Sequence, residues 1–208
     1  MADLAALAAA VEAGNRTAAA GLTQDAVDEG VDPRAILGSM TAAMDVVGRK
    51  FQEGEMYVPE MLIAARAMKS GMAILEPVLA AAGVSPEHTA VVGTVKGDLH
   101  DIGKNLVGMM LEGAGFEVVD LGVDVSADAF VEAARERGAD IVGLSALLTT
   151  TMPNMRAIIE AIRAAGLPAK VVIGGAPTTP EFAAQVGADG HAPDAGAAVD
   201  LARRLLAS

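Results

Sequence analysis

The chain contains no cysteine and no tryptophan, and only one tyrosine and four phenylalanines. Without thiols there are no disulfides, thiolate metal sites or cysteine nucleophiles. With so few rings the core must be built from Ala, Val, Leu, Ile and Met, and hydrophobic residues at 52% of the sequence make that feasible. Positive charge is scarce as well: 15 Lys and Arg stand against 27 Asp and Glu, a formal net charge of −12. Binding to nucleic acid needs a basic footprint, and so does attraction to an anionic membrane surface, so neither partner is expected. No apolar run approaches the roughly 20 residues of a membrane-spanning helix. The opening residues, Met1-Ala2-Asp3-Leu4-Ala5-Ala6, carry no basic segment, so no signal peptide is expected and a cytoplasmic location is the default.

The 208 residues suffice for one large domain or two small ones, and the apolar pattern divides them. Up to about residue 82 the spacing is helical throughout. A first run begins at Ala5-Ala6-Leu7 and stops at Gly14. A second spans Thr17 to Val27 and stops at Gly30. Asp32-Pro33 reads as an N-cap followed by a first-turn proline, opening a helix to about Phe51. Gly54 breaks the pattern, and Pro59 starts a fourth helix to about Ala82. Four helices with short connections predict a small antiparallel bundle over 1–84. Gly83 to His88 reads as a linker, with His88 solvated. Beyond it, strand-like runs at about 89–95, 116–121, 140–145 and 170–174 alternate with helices, and Gly187-Ala188-Asp189-Gly190 is a candidate fifth strand before a last helix at about 194–206. This is the pattern of an α/β domain over 89–208, a doubly wound parallel sheet with expected strand order 2-1-3-4-5.

In such sheets ligands bind outside the carboxyl ends of the strands, and three loops with unusual chemistry leave those ends. The first is Gly97-Asp98-Leu99-His100-Asp101-Ile102-Gly103. The second runs from Ser145 through Leu147 and Thr149 to Thr151. The third is Gly174-Gly175. Asp98 is placed to accept the Nδ1–H of His100, leaving Nε2 free as a metal ligand. The hydroxyls of Ser145, Thr149 and Thr151 are candidates to bind a ligand or extend that relay. Gly174 and Gly175 lack Cβ atoms, so a flat or bulky group can approach the backbone there.

These residues resemble a known family. Asp-x-His-x-x-Gly, then Ser-x-Leu-x-Thr with Thr151 beyond, then Gly-Gly, look like the cobalamin-binding domain of corrinoid-dependent methyltransferases. Gly54-Glu55-Met56-Tyr57-Val58-Pro59-Glu60 and Ala64-Ala65-Arg66-Ala67-Met68-Lys69 resemble the helical cap that precedes it. The chain is most similar to the stand-alone corrinoid proteins of methylamine, methanol, glycine betaine and methoxy-aromatic methyltransferase systems. It also resembles the cobalamin module of methionine synthase, whose pattern has serine where this chain has Thr151.

The resemblance implies that cobalamin, or another corrinoid, binds with its lower base displaced and His100 as the lower cobalt ligand. Asp98 and Thr151 would complete a hydrogen-bond chain, and Ser145, Leu147, Thr149, Gly174 and Gly175 would surround the displaced nucleotide. Tyr57 and Met61 would lie on the inner face of the cap. The cofactor would cycle between cob(I)alamin and methylcobalamin, taking a methyl group from a substrate-specific methyltransferase. A second methyltransferase would pass it to a pterin (tetrahydrofolate) or a thiol, and a reductive activating protein would rescue oxidised cobalt. The chain would be a cofactor-carrying subunit without a complete substrate site of its own. A subunit of an adenosylcobalamin-dependent isomerase shares the Asp-x-His-x-x-Gly logic, and a cobalamin sensor or store is a non-enzymatic alternative.

Plainer readings stand beside these. Asp98 and Asp101 are each placed to cap a helix, and the hydroxyls to cap the next one. The run Gly97 to Asn105 fails as a phosphate loop, because five residues separate Gly97 from Gly103 and Asn105 stands where Ser or Thr is required. A divalent-metal site on Asp98, His100 and Asp101 has too few placed ligands.

Overall fold

The computed structural model describes residues 2–207. They form two compact units, one built mainly on the residues up to Glu87 and the other on those from His88 onward. The first consists of α1 (Leu4–Glu12), α2 (Arg16–Asp28), α3 (Pro33–Gln52) and α4 (Val58–Ala81). Side-chain caps set three of the starts: Asp3 accepts the Ala6 amide at 2.9 Å, Asn15 that of Ala18 at 3.1 Å, and Asp32 that of Arg34 at 3.0 Å. The fourth helix begins at Val58, one residue before the expected Pro59, and the Glu60 carboxylate accepts the Tyr57 amide at 2.7 Å. Helix α1 packs on α3, and α4 packs on α2 and α3. With no aromatic side chain to fill this core, Leu7, Ile36, Met40, Met44, Met61 and Leu75 do so. Close approach depends on Gly71, where an added Cβ would lie 2.6 Å from Met40 Sδ and 2.9 Å from Thr23 Oγ1.

The second unit alternates strand and helix: β1 (Thr89–Thr94), α5 (Ile102–Gly113), β2 (Glu117–Asp120), α6 (Ala127–Arg137), β3 (Ile141–Ser145), α7 (Pro153–Ala164), β4 (Lys170–Gly174), α8 (Pro180–Val186), β5 (Gly190–Ala192) and α9 (Ala195–Leu206). The strands form one parallel sheet in the order β2-β1-β3-β4-β5. The chain moves outward from β1 in one direction to β2 and in the other to β3, so the switch point lies between β1 and β3. The loops β1–α5 and β3–α7 are therefore neighbours.

Two expectations are corrected. The fifth strand is Gly190–Ala192, later than 187–190. Gly187 instead ends α8 with φ 78°, and the Asp189 carboxylate turns to the Val171 amide at 2.6 Å while also pairing with Arg163. His88 is not a solvated linker residue. Its carbonyl accepts the Glu117 amide at 2.9 Å, and its ring packs on Phe116 with centroids 5.8 Å apart.

One large ring anchors the sheet core. Phe130 of α6 is fully buried, and it lies where β1 has no side chain: a Cβ added at Gly93 would come within 2.6 Å of its ring. Phe130→Ala is expected to lower the unfolding free energy of this unit by about 3–5 kcal/mol. Urea titration followed by circular dichroism measures it, and a loss below about 1 kcal/mol would mean the cavity collapses or the ring is dispensable.

Candidate functional site

The β1–α5 loop begins where the chain leaves the sheet. Val95 forms an isolated bridge with Val125, and Gly97 turns with φ 82°, its amide donating to Asp124 Oδ1 at 2.7 Å. The Asp98 amide donates back to the Val95 carbonyl at 3.1 Å, and the Asp98 carbonyl accepts the Asp124 amide at 3.0 Å. These bonds turn the Asp98 side chain inward, and it is fully buried.

A buried carboxylate is costly unless it is fully hydrogen-bonded, and this one is. Oδ1 accepts the ring Nδ1–H of His100 at 2.8 Å and the His100 backbone amide at 3.1 Å. Oδ2 accepts the Thr151 hydroxyl at 2.7 Å and the amides of Leu147 and Leu148 at 2.8 and 3.2 Å. One oxygen thus serves the β1–α5 loop and the other the β3–α7 loop. Burial by itself would raise the Asp98 pKa. The hydrogen bonds from His100, the Leu147 amide and the Thr151 hydroxyl outweigh it and hold the carboxyl well below the usual carboxylate range. An ionised carboxylate only accepts, so the hydrogen of a neutral His100 ring sits on Nδ1 and the Nε2 lone pair is free. The imidazole is about half exposed, at 52%. Thr94 at the end of β1 fixes the same residue through its backbone, donating from Oγ1 to the His100 carbonyl at 2.9 Å. The Thr151 hydroxyl also lies 2.9 Å from the Leu148 carbonyl, but it has one hydrogen and the charged, nearer oxygen is the stronger acceptor.

The structure brings together Asp98, His100, Thr151 and the Leu147 backbone. Of the three loop hydroxyls only Thr151 joins the relay; Ser145 lends its carbonyl to the Val95 amide, and Thr149 is exposed. Asp98 caps no helix. Asp101 does stand at the start of α5: its carbonyl accepts the Asn105 amide at 2.8 Å and its carboxylate the Asn105 side chain at 3.1 Å. Around the imidazole, Leu99 and Ile102 are 71% and 75% exposed, and Leu147 and Leu148 are 43% and 40% exposed. A Cβ added at Gly103 meets nothing within 4 Å. Such a rim of large apolar side chains suits an apolar ligand face. Among the described residues no group of three or more His, Cys, Asp or Glu side chains is placed to share an ion, which leaves the divalent-metal reading without support.

Gly175 also has a structural reason to be glycine. A Cβ there would lie 1.9 Å from the Ala146 carbonyl oxygen, and φ is 121°. The missing side chain lets the β3–α7 backbone approach. At Gly174 the nearest atom to an added Cβ is the Ala192 carbonyl oxygen at 3.1 Å. In the helical unit Tyr57 is 67% exposed, whereas Met61 is buried and offers no surface. Sequence reasoning missed Thr94 and the Leu148 amide. A buried threonine closing a strand leaves no pattern, and backbone donors leave none at all.

The depressed Asp98 pKa has a consequence for stability. A carboxyl whose folded-state pKa lies below its unfolded value stabilises the fold above the unfolded value and loses that contribution as pH falls towards the folded one. The stability advantage of the wild type over Asp98→Asn is therefore expected to shrink as the pH falls from about 5 to about 2. Denaturant unfolding across that range checks it; a gap that stays constant into strong acid would contradict the hydrogen-bond account.

Two family models, each described as a B12 binding domain, match the chain over residues 88–200 and 4–76. A corrinoid protein of Desulfitobacterium hafniense (strain Y51) is 45% identical over 199 residues, 93% of this chain and 92% of that protein. Dimethylamine corrinoid protein 1 of Methanosarcina acetivorans is 45% identical over 181 residues, 85% of either chain. A chain in the crystal structure of the methanol:cobalamin methyltransferase complex from Methanosarcina barkeri matches with a TM-score of 0.88 at 28% identity, over 99% of this chain and 80% of that one. Both units are matched and the likeness runs nearly end to end: the chain belongs to the B12-binding corrinoid proteins, and its cofactor is a corrinoid.

Proposed function

We propose that this protein carries methyl groups on a corrinoid held from below by His100, between a substrate-specific methyltransferase and a second enzyme that delivers them to a pterin or thiol. The residues present fit such a cofactor. A metal ligand needs an imidazole in a fixed tautomer with an uncommitted nitrogen, and the Asp98 Oδ1 contact at 2.8 Å provides it. That contact is the observation that carries the reading. When bound, the corrin supplies a cobalt centre able to accept and release a methyl group.

The chain's own residues do the rest. His100 Nε2 would hold the cobalt in place of the cofactor's own base. Asp98 keeps the proton on Nδ1, and Thr151 shares the load on the other oxygen. Leu99, Ile102, Leu147 and Leu148 would lie against apolar ring edges and keep water from the ligand. Ser145, Thr149 and the Gly174-Gly175 turn would flank the displaced nucleotide. Residues 1–84 are read as a cap and 89–208 as the cofactor domain, with Tyr57 the cap's exposed ring. The role of carrier is supported by its relatives, which include dimethylamine and trimethylamine corrinoid proteins and a chain of a methanol:cobalamin methyltransferase complex. A reductive activating protein is included because cobalt in its lowest oxidation state is readily oxidised.

Reconstitution with hydroxocobalamin, reduction to Co(II) and electron paramagnetic resonance test the ligand. The axial nitrogen is expected to split each cobalt line into three, and growth on ¹⁵N-histidine should change three lines to two. His100→Ala should lose the histidine signal while still taking up corrinoid. Three-line splitting that persists in both the labelled protein and the variant would mean the benzimidazole is still bound, and the proposal fails.

A further inference from the structure

Asp98 holds one end of the β1–α5 loop. The other end is held by a buried charge that makes no contact with the imidazole. Lys104 is 3% exposed and lies in the first turn of α5, four residues after His100. This is a poor place for a cation. The amides at a helix N-terminus present positive partial charge, and burial disfavours the ammonium further. The compensation is specific. Lys104 Nζ pairs with Asp120 Oδ2 at the end of β2 and donates to Asn105 Oδ1 at 2.6 Å. Asn105 Nδ2 donates in turn to the Asp101 carboxylate at 3.1 Å. Asp120 is itself fixed, because its other oxygen accepts the Gly122 amide at 2.8 Å. The chain of bonds runs from the β2 terminus through Lys104 and Asn105 to Asp101, the residue that follows His100.

We propose that Lys104 is a positioning residue for the cobalt ligand. This rests on the reading of His100 as that ligand. Asp98 and Thr94 fix the tautomer and the backbone of His100 from the β1 and β3 side. They do not fix the helix that begins two residues later, and a swing of that helix would carry the imidazole with it. The Asp120–Lys104–Asn105–Asp101 strut ties that first turn to β2, so the loop is clamped on both flanks. A ligand must be held to within about 0.5 Å, and one-sided support does not give that. A lysine that opposes both burial preference and helix polarity is the kind of local conflict expected where function selects the residue.

The test compares wild type, Lys104→Met and Asn105→Ala, each loaded with hydroxocobalamin and reduced to Co(II). Asn105→Ala leaves the Lys104–Asp120 pair and the backbone bond from residue 105 to the Asp101 carbonyl, and removes the side-chain bonds of Asn105 to Lys104 and Asp101. Paramagnetic resonance reads the ratio of histidine-bound to histidine-free cobalt at equal corrinoid occupancy, and thermal unfolding is measured on the same samples. For Lys104→Met the ratio is expected to fall about 10-fold, the lower end of the effect of removing an outer support from a metal ligand. Asn105→Ala should move it the same way by less. Lowered melting temperatures with a wild-type ratio in both variants would make the network a fold stabiliser only and overturn the proposal. Should Lys104→Met not fold, Asn105→Ala decides alone. Absence of histidine coupling in the wild type would overturn the ligand assignment itself and this proposal with it, a result distinct from failure of the variants.

Discussion

The site depends on one carboxylate. Asp98 is fully buried, and its charge survives because five donors converge on it: two from His100, one each from Leu147 and Leu148, and the Thr151 hydroxyl. Hydrogen bonds to a charged group contribute about 1.5–3 kcal/mol each, and the desolvation of a carboxylate costs several. With five donors on its two oxygens the hydrogen bonds outweigh that cost, which is why the carboxyl is held below the usual carboxylate range. The dependence runs the other way as well, since without the carboxylate the amides of His100, Leu147 and Leu148 lose their acceptor. Asp98 therefore fixes the imidazole and joins the two loops at the switch point of the sheet in a single act.

Small residues make that junction reachable. A doubly wound sheet only brings the β1–α5 and β3–α7 loops near one another. Hydrogen-bond distance requires the backbones to close in, and Gly175 allows this by leaving room for the Ala146 carbonyl. Gly93 makes room for Phe130 on the sheet, and Gly71 for Met40 in the helical unit. A chain almost without aromatic residues thus packs by interlocking methionine, β-branched residues and glycine. The large apolar side chains left exposed lie mostly around His100: Leu99, Ile102, Leu147 and Leu148.

Much of this was legible in the sequence, for identifiable reasons. Strand order follows from alternating βα units, and helix starts from Asp32-Pro33 and stops from Gly14 and Gly30 follow from backbone chemistry. The Asp98–His100 contact is local, two residues apart, so spacing alone brings it into view. Thr151 is 53 residues from Asp98; the expected strand order made it one of three candidate hydroxyls, and the family resemblance singled it out. The rest was hidden because it depends on tertiary approach. That Gly175 also lets the Ala146 carbonyl approach could be seen only in the fold. Nothing in the sequence marked Lys104, whose burial against Asp120 depends on where β2 ends, and β5 was misplaced because Asp189 belongs to a turn that reaches back to Val171.

The central claim is that Asp98 fixes the tautomer of His100 before any cofactor arrives. It is tested most directly on the cofactor-free protein, labelled with ¹⁵N-histidine, by long-range proton–nitrogen correlation at alkaline pH where the ring is neutral. The account expects the His100 hydrogen on Nδ1, with Nε2 showing the shift of an unprotonated nitrogen, and expects that preference to weaken or reverse in Asp98→Asn. A wild-type ring that carries its hydrogen on Nε2, or that exchanges freely between the two nitrogens, would contradict it.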